Sequence, residues 1–437
     1  MSSPEIATLH RPSPDIRIAQ LDILRGVAVL GIYWINVMVA ALPYSVYVLP
    51  MLLGDSTYAN TLVWAFSETF IDGTMRGLFS ILFGASAMLF LNESRLAGEG
   101  LFVVDRYYRR TLLLIVFGMF HAWILLWPYD VLYAYGLLGL FLFPLRALQA
   151  KTLIAIGLSL LIIGDTAMNE VFDSSSNQTS KLSQTSQQYL MPVDFNIIGN
   201  NETVDQSILN QLGEEILVYQ SSYQTIFRYQ IKDVIEQQST NMYDTHFFDI
   251  GGMMLIGMAL FKLGVLNGTR TRRFYLGLIF YGYGSGLLLR GTDIYEALTS
   301  GFDVSMLLGT GGPTYNIGRL AMTLGHIGLI CLLSQLKLNR IKGTLAAVGR
   351  MALTNYLMQS ALSIFIFFGF GLGFYSKFER YQLIFICLIV WLIQIIFSLV
   401  WLKFFYYGPL EWVWRTLIYG RPQKFRKQTL QEPVSAI

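Results

Sequence analysis

The sequence predicts an all-α, polytopic integral membrane protein of about ten transmembrane helices with both termini in the cytoplasm. Three observations predict it. The 437 residues are 54% hydrophobic and 14% charged, where a soluble globular domain carries about 25% charged residues. Long apolar runs recur, at the roughly 17–25 residues a helix needs to cross a bilayer core. Lys and Arg gather in alternate connections between those runs, and this asymmetry orients membrane helices.

The expected spans lie near 21–42, 73–91, 111–127, 130–149, 151–171, 247–266, 274–290, 314–335, 344–372 and 380–404, with a short interfacial helix over 58–72. Arg11 and Arg17 precede the first span. Arg95, Arg106, Arg109 and Arg110 separate the second from the third, and Arg146 with Lys151 the fourth from the fifth. Lys262, Arg270, Arg272 and Arg273 follow the sixth. Lys337, Arg340 and Lys342 separate the eighth from the ninth. Arg415, Arg421, Lys424, Arg426 and Lys427 follow the last. The 43–57 loop has neither Lys nor Arg, whereas Lys377 and Arg380 break the rule on the outer side. The positive-inside rule then puts both termini inside.

The chain divides accordingly. Residues 1–20 form a polar cytoplasmic tail without the apolar stretch of a signal peptide. Residues 21–171 and 247–407 form two membrane halves of five spans each. Residues 172–246, rich in Ser, Gln and Asn, form an extracytoplasmic insertion whose second half has apolar residues at helical spacing. Residues 408–437 form an interfacial helix and a basic cytoplasmic tail. Cys331 and Cys387 lie inside apolar runs and read as small buried hydrophobes. No metal site, nucleotide fingerprint, fixed-period repeat or nucleic-acid surface is expected.

Polar residues inside the spans carry the functional signal, because ionisable groups are costly there. His121 sits about ten residues into the run that begins at Thr111, which puts it roughly 15 Å deep at about 1.5 Å per residue. That run ends in Trp-Pro-Tyr-Asp, with Asp130 above the histidine. An imidazole with a carboxylate nearby can act as a general base. The nine-residue separation requires the next helix to fold back for the two to meet. His326, Asn355 and Gln359 also fall at mid-depth. Asp22, Arg25, Arg109, Arg110 and Arg350 lie towards the inner face. Arg25 and Asn36 are eleven residues apart and so share one helical stripe. Glu68, Asp72, Arg76, Asp130, His246, Asp249, Arg290, Asp293 and Arg319 lie towards the outer face and suggest a polar chamber. The loop from Gly309 to Gly318 offers close backbone approach but little specific signal.

Five stretches carry a resemblance: RIAQLDILRGVAVLGIYWIN at 17–36, GTMRGLFSILFGAS at 73–86, RYYRRTLLLIVFGMFHAWILLWPYDVLYAYG at 106–136, GRMALTNYLMQS at 349–360 and YGPLEWVWRTLIYG at 407–420. Together they resemble the YeiB-like family of bacterial inner-membrane proteins, a domain-of-unknown-function family grouped with transmembrane acyltransferases. That superfamily includes the lysosomal heparan glucosaminide acetyltransferase and bacterial sugar O-acyltransferases. The resemblance implies transfer of an acyl group from a cytoplasmic acyl-CoA co-substrate to an extracytoplasmic or lipid-linked acceptor, with no covalently bound cofactor. Many of the sugar O-acyltransferases have an Arg–x10–His pattern in their first span. Here Arg25 matches the arginine, but position 36 is Asn, and an amide cannot serve as base. His121 or His326 is then the expected base, with Asp130 beside His121 and Asn36 or Asn355 donating to the developing oxyanion. Arg25, Arg109 and Arg110 are expected at the donor's phosphates. Asp72, Arg76 and Arg319 are expected at the acceptor, and His326, Asn355 and Gln359 are secondary candidates. Membrane lipids and an envelope acceptor are the expected partners, and a homo-oligomer is compatible with the pattern. The competing expectation is a transporter or lipid-handling protein that uses the same polar pathway without covalent chemistry.

Overall fold

The computed structural model describes residues 19–48, 57–96, 102–182, 206–299 and 314–427. Arg11, Arg17, residues 309–313 of the glycine loop and residues 183–205 of the insertion lie outside the described residues. The helices are α1 (Ala19–Ala41), α2 (Tyr44–Val48), α3 (Tyr58–Phe66), α4 (Thr74–Leu96), α5 (Phe102–Trp123), α6 (Leu132–Leu145), α7 (Ala150–Leu182) and α8 (Gln206–Tyr219). There follow α9 (Tyr223–Gln238), α10 (Phe247–Lys262), α11 (Arg272–Thr299), α12 (Tyr315–Ser334), α13 (Asn339–Arg350), α14 (Ala352–Phe367), α15 (Arg380–Phe404) and α16 (Pro409–Tyr419). Wider π turns run over Ser67–Ile71 and Met242–His246. Among the described residues there is no strand, only an isolated bridge between Phe405 and Arg426.

Four helical stretches are long and apolar enough to cross a bilayer: Ala19–Ala41, Tyr58–Asn92, Tyr315–Ser334 and Arg380–Phe404. The last has a mean hydropathy of 3.0 yet is only 28% buried. A face that apolar, left open along a whole helix, is incompatible with water. This is a membrane protein. Among the other expected spans, α6 and α14 are shorter apolar helices, and α5 opens on Asp105, Arg106, Arg109 and Arg110. The expected 344–372 span is two helices. The chain breaks at Met351, whose backbone leaves the helical region at φ −112° and ψ 31°.

α1 and α10 form the interior. α1 packs on α4, α12, α13, α14 and α15, and α10 lies between α4 and α7. Every residue of α10 from Asp249 to Phe261 is buried. A helix apolar all round in this way belongs in the middle of a bundle. Its approach to α4 depends on two facing glycines. A Cβ on Gly84 would stand 2.0 Å from the Met254 carbonyl oxygen, and one on Gly257 2.0 Å from that of Ile81. Close backbone approach through small residues is a recurrent way to pack membrane helices.

Within the insertion, the α8–α9 pair docks at one end of the bundle. Tyr219 stacks on Tyr375 at 4.4 Å. The Gly369 N–H donates to the Tyr219 carbonyl at 2.8 Å. Trp123 Nε1 donates to Gln238 Oε1 at 3.1 Å, and the Tyr223 hydroxyl donates to the Ile124 carbonyl at 2.9 Å. At the other end of the chain, residues 421–427 fold back instead of trailing as a solvated tail. The Tyr406 N–H donates to Phe425 O at 3.0 Å and the Lys427 N–H to Phe404 O at 2.8 Å. Phe425 meets Phe405, Trp401 and Trp412. Burial of the phenyl ring offsets the cost of ordering the basic segment.

Gly257→Val is expected to force α10 off α4, at a cost of about 1–3 kcal/mol or more for overpacking. Detergent-solubilised protein should lose its monodisperse elution at a lower temperature than the wild type.

Candidate functional site

The α5–α6 connection builds the centre of the site. α5 ends at Trp123, four residues before the apolar run does. Beyond it the chain widens its turns: the Leu125 N–H donates to Phe120 O and the Trp127 N–H to His121 O, both at 3.2 Å. Leu126 takes a left-handed backbone, φ 51°, and Pro128 follows. His121 therefore lies in the last turn of α5, not in the middle of a continuous span. The chain reverses here, and Asp130 returns beside it.

His121 Nδ1 and Asp130 Oδ1 are 2.6 Å apart, with His121 fully buried and Asp130 7% exposed. The second carboxylate oxygen accepts the Tyr133 N–H at 2.8 Å, which caps the start of α6. Opposite an ionised carboxylate, which only accepts hydrogen bonds, a neutral imidazole holds its proton on Nδ1 and presents its lone pair at Nε2. Nε2 is buried and has no hydrogen-bond partner. Trp127 lies alongside the ring at 6.3 Å and Tyr356 of α14 meets it edge-on at 5.0 Å. The Tyr356 oxygen accepts the Val131 N–H at 3.3 Å and so ties α14 to the same turn. The fold-back is possible because position 118 is glycine. A Cβ there would stand 2.3 Å from the Tyr133 nitrogen and 2.5 Å from Asp130 Oδ2.

The acidic and basic residues expected at one end do converge. Asp249 on α10 takes a two-pronged contact from Arg319 of α12, with one arm at 2.9 Å, and a third bond from Arg76 of α4 at 2.8 Å. Arg319 also donates to Asn316 Oδ1, and the Asn316 amide donates to Asp165 of α7 at 2.5 Å. Asp72 accepts from the Tyr47 and Tyr315 hydroxyls, each at 3.2 Å. Arg290 reaches Glu68 at 3.1 Å and Asp293 at 3.4 Å. His246 lies within electrostatic reach of Arg76, Asp249 and Asp130.

Other candidates sit elsewhere. Arg25 pairs with Asp22 at 2.7 Å and donates to Ser86 Oγ at 2.7 Å. Arg110 reaches the Ser86 carbonyl at 3.4 Å, so these two arginines meet across α4. Arg109 is exposed and pairs with Asp105 at 3.0 Å. Asn36 is half-buried, and its side chain makes no hydrogen bond with the described residues. Asn355 and Gln359 are fully buried in an amide ladder between α14 and α15. Asn355 donates to Val348 O and Ser398 Oγ, and Gln359 donates to Val29 O and Gln394 Oε1. His326 bonds its own helix at Met322 O, 2.7 Å away, and packs on Tyr283 of α11. Among the described residues no cluster of His, Cys, Asp and Glu could hold a metal.

Two features escaped the sequence reading. Arg110 and His121 are eleven residues apart on α5, so they share a face about 16 Å apart. This is the spacing sought in the first span, here on another helix, and the sequence alone could have revealed it. Tyr356, next to Asn355, carried no such signal, because only the tertiary fold turns it to His121.

Residues 260–421 match a family described as protein of unknown function (DUF418). The chain is 29% identical to the uncharacterised protein YeiB of Escherichia coli strain K12 over 411 residues, 92% of this chain and 96% of that protein. The chain is therefore similar to YeiB along nearly the whole of both sequences. It is also 29% identical to the uncharacterised protein YxaH of Bacillus subtilis strain 168 over 442 residues, 97% of this chain and all of that protein. An uncharacterised 39.9 kDa protein from the amylase 3′ region of Bacillus acidopullulyticus is 25% identical, over 93% of this chain and 95% of that protein. No solved structure matches.

Asp249→Ala would leave Arg319 buried with no carboxylate and Arg76 short of its partner. Breaking a buried pair in this way costs about 3–5 kcal/mol. Thermal unfolding in nanodiscs should show a large drop for Asp249→Ala and a small one for Asp105→Ala, whose pair with Arg109 is exposed.

Proposed function

We propose that the chain is a ten-span acyltransferase of the bacterial inner membrane, with both termini cytoplasmic, taking an acyl group from a cytoplasmic acyl-CoA-type donor to an extracytoplasmic or lipid-linked acceptor. The observation that carries the reading is the buried His121–Asp130 pair with Nε2 left free. Asp130 fixes the imidazole's tautomer and orientation, the role a carboxylate plays beside a catalytic histidine. The acceptor's hydroxyl or amine gives its proton to Nε2 as it attacks the thioester carbonyl. The C–S bond then breaks, and the leaving thiolate takes that proton. Asn36, whose amide is unspent, donates to the oxyanion. Asn355 is a poorer donor, because both contacts from its amide nitrogen are already used.

Arg25, Arg109 and Arg110 hold the donor's phosphates, and the donor's flexible arm spans the distance from Arg110 to His121. Asp72, Arg76 and Arg319 line the acceptor side. Support for ten spans comes from the basic connections and from exposed apolar faces on helices other than the four long apolar stretches. Val116 on α5 is 60% exposed and Phe280 on α11 is 73% exposed. A transport reading draws on the hydrogen-bonded polar chain through Asp249, Arg319, Asn316 and Asp165, which needs no covalent step.

In lipid nanodiscs, free thiol release from a panel of acyl-CoAs, with and without envelope extract, should be measurable for wild type. His121→Ala should lower it by about 10²–10⁴-fold, the usual worth of a general base, with elution and helix content unchanged. Release from no donor by folded protein would leave the transport reading standing.

A further inference from the structure

The polar chemistry at the opposite end of α5 is basic and underpaired. Arg110 lies over three rings, Trp414 at 5.3 Å, Phe90 at 5.5 Å and Phe83 at 5.9 Å. Trp414 belongs to α16, and its indole N–H donates to the Arg110 carbonyl at 3.4 Å. One turn further along α16, Tyr419 sits between two more guanidiniums, Arg106 at 5.1 Å and Arg415 at 5.8 Å. Tyr407 lies 4.6 Å from Arg415. Arg25 reaches the same place from α1 through Ser86. Ion pairs in this cluster join Arg25 to Asp22 and Arg109 to Asp105. Arg110 and Arg415 have no carboxylate partner among the described residues, and Arg415 Nε is buried without a hydrogen bond. Glu411, the acid on α16, is turned away: its carboxylate accepts the Thr354 N–H at 3.0 Å and the Thr354 hydroxyl at 2.5 Å.

Crowded guanidiniums repel one another, and each is costly to desolvate without a counter-charge. Aromatic rings offset part of that cost by covering the flat faces of the cations. Apart from one long contact from Arg110 to the Ser86 carbonyl at 3.4 Å, they leave the N–H edges without an acceptor, and those edges form a planar fork that matches a phosphate in two-pronged fashion. Arg110 and Arg415 are therefore oriented but not satisfied.

We infer that this cluster is a binding site for a phosphate-bearing anion and that α16 supplies half of it, through Arg415 and the rings of Trp414 and Tyr419. The inference rests on the donor side of the acyl-transfer reading and extends it. The last helix of the chain becomes part of the ligand site, and the ligand must carry enough negative charge to answer two unpaired arginines. A soluble phosphorylated donor and an anionic lipid headgroup share that chemistry.

The test is binding rather than turnover, on the full chain. In nanodiscs of phosphatidylcholine, coenzyme A and inorganic pyrophosphate should bind by calorimetry and weaken with added salt. Arg415→Gln and Arg110→Gln should each weaken binding tenfold or more, and Arg415→Lys should recover part of it. In nanodiscs that contain phosphatidylglycerol, native mass spectrometry reads retained lipid. Anionic lipid held by wild type and lost from both variants would assign the site to a headgroup. Arg110 is half-buried between helices. Should its variant fail to fold, Arg415→Gln carries the test. The inference is overturned if wild type binds neither probe and retains no anionic lipid, or if binding is indifferent to the Arg415 substitution. Binding should persist in His121→Ala. A protein that binds coenzyme A and releases no thiol would sink the acyl-transfer reading and leave this site intact.

Discussion

The Asp130 carboxylate holds together the start of one helix, the end of another and the ring between them. One oxygen caps α6 through the Tyr133 N–H, and the other fixes His121. Neither bond forms unless α6 folds back tightly along α5, and that contact exists because Gly118 has no side chain. The left-handed Leu126 and Pro128 make the reversal. Packing, local backbone and site geometry are one constraint here. A buried, oriented imidazole with a free nitrogen is costly to maintain, and functional sites are where such cost is met.

Asp249 is the second fixed point. Two arginines from different helices converge on it inside a helix that is buried all round. A buried ion pair adds little net stability, because desolvation cancels most of the attraction. What it does in the structure is tie α4, α10 and α12 to one point. His246 is within electrostatic reach of both this network and Asp130. The two polar centres thus occupy one region of the bundle, while the arginine cluster on α5 and α16 occupies the other. This separation suits a protein that handles different chemistry on its two sides.

Much of this was legible in the sequence. Composition and run length gave the helical membrane class, because burying apolar surface in lipid is a one-dimensional property of the chain. His121, Asp130, Asp72, Arg76 and Arg319 stand out in the sequence, since charge in or beside an apolar run needs only the run to be seen. Contacts were not legible. The His121–Asp130 pair needed a fold-back that nine residues permit but do not dictate. Asn355 and Gln359 share a helical face as expected, yet that face meets Ser398 and Gln394 in a structural ladder, because α15 happens to lie there. Helix ends were also hidden. Hydropathy continues through Trp127, but the backbone leaves the helix after Trp123, and the 344–372 run breaks at Met351.

The central claim is that His121 and Asp130 act as one unit. A double-mutant cycle on thiol release, with His121→Ala, Asp130→Ala and the pair combined, tests it most directly. Residues that act as a unit lose function non-additively. The account predicts that the double variant is no slower than His121→Ala alone. Losses that simply multiply would mean that the two residues contribute independently, and the dyad would be a packing contact.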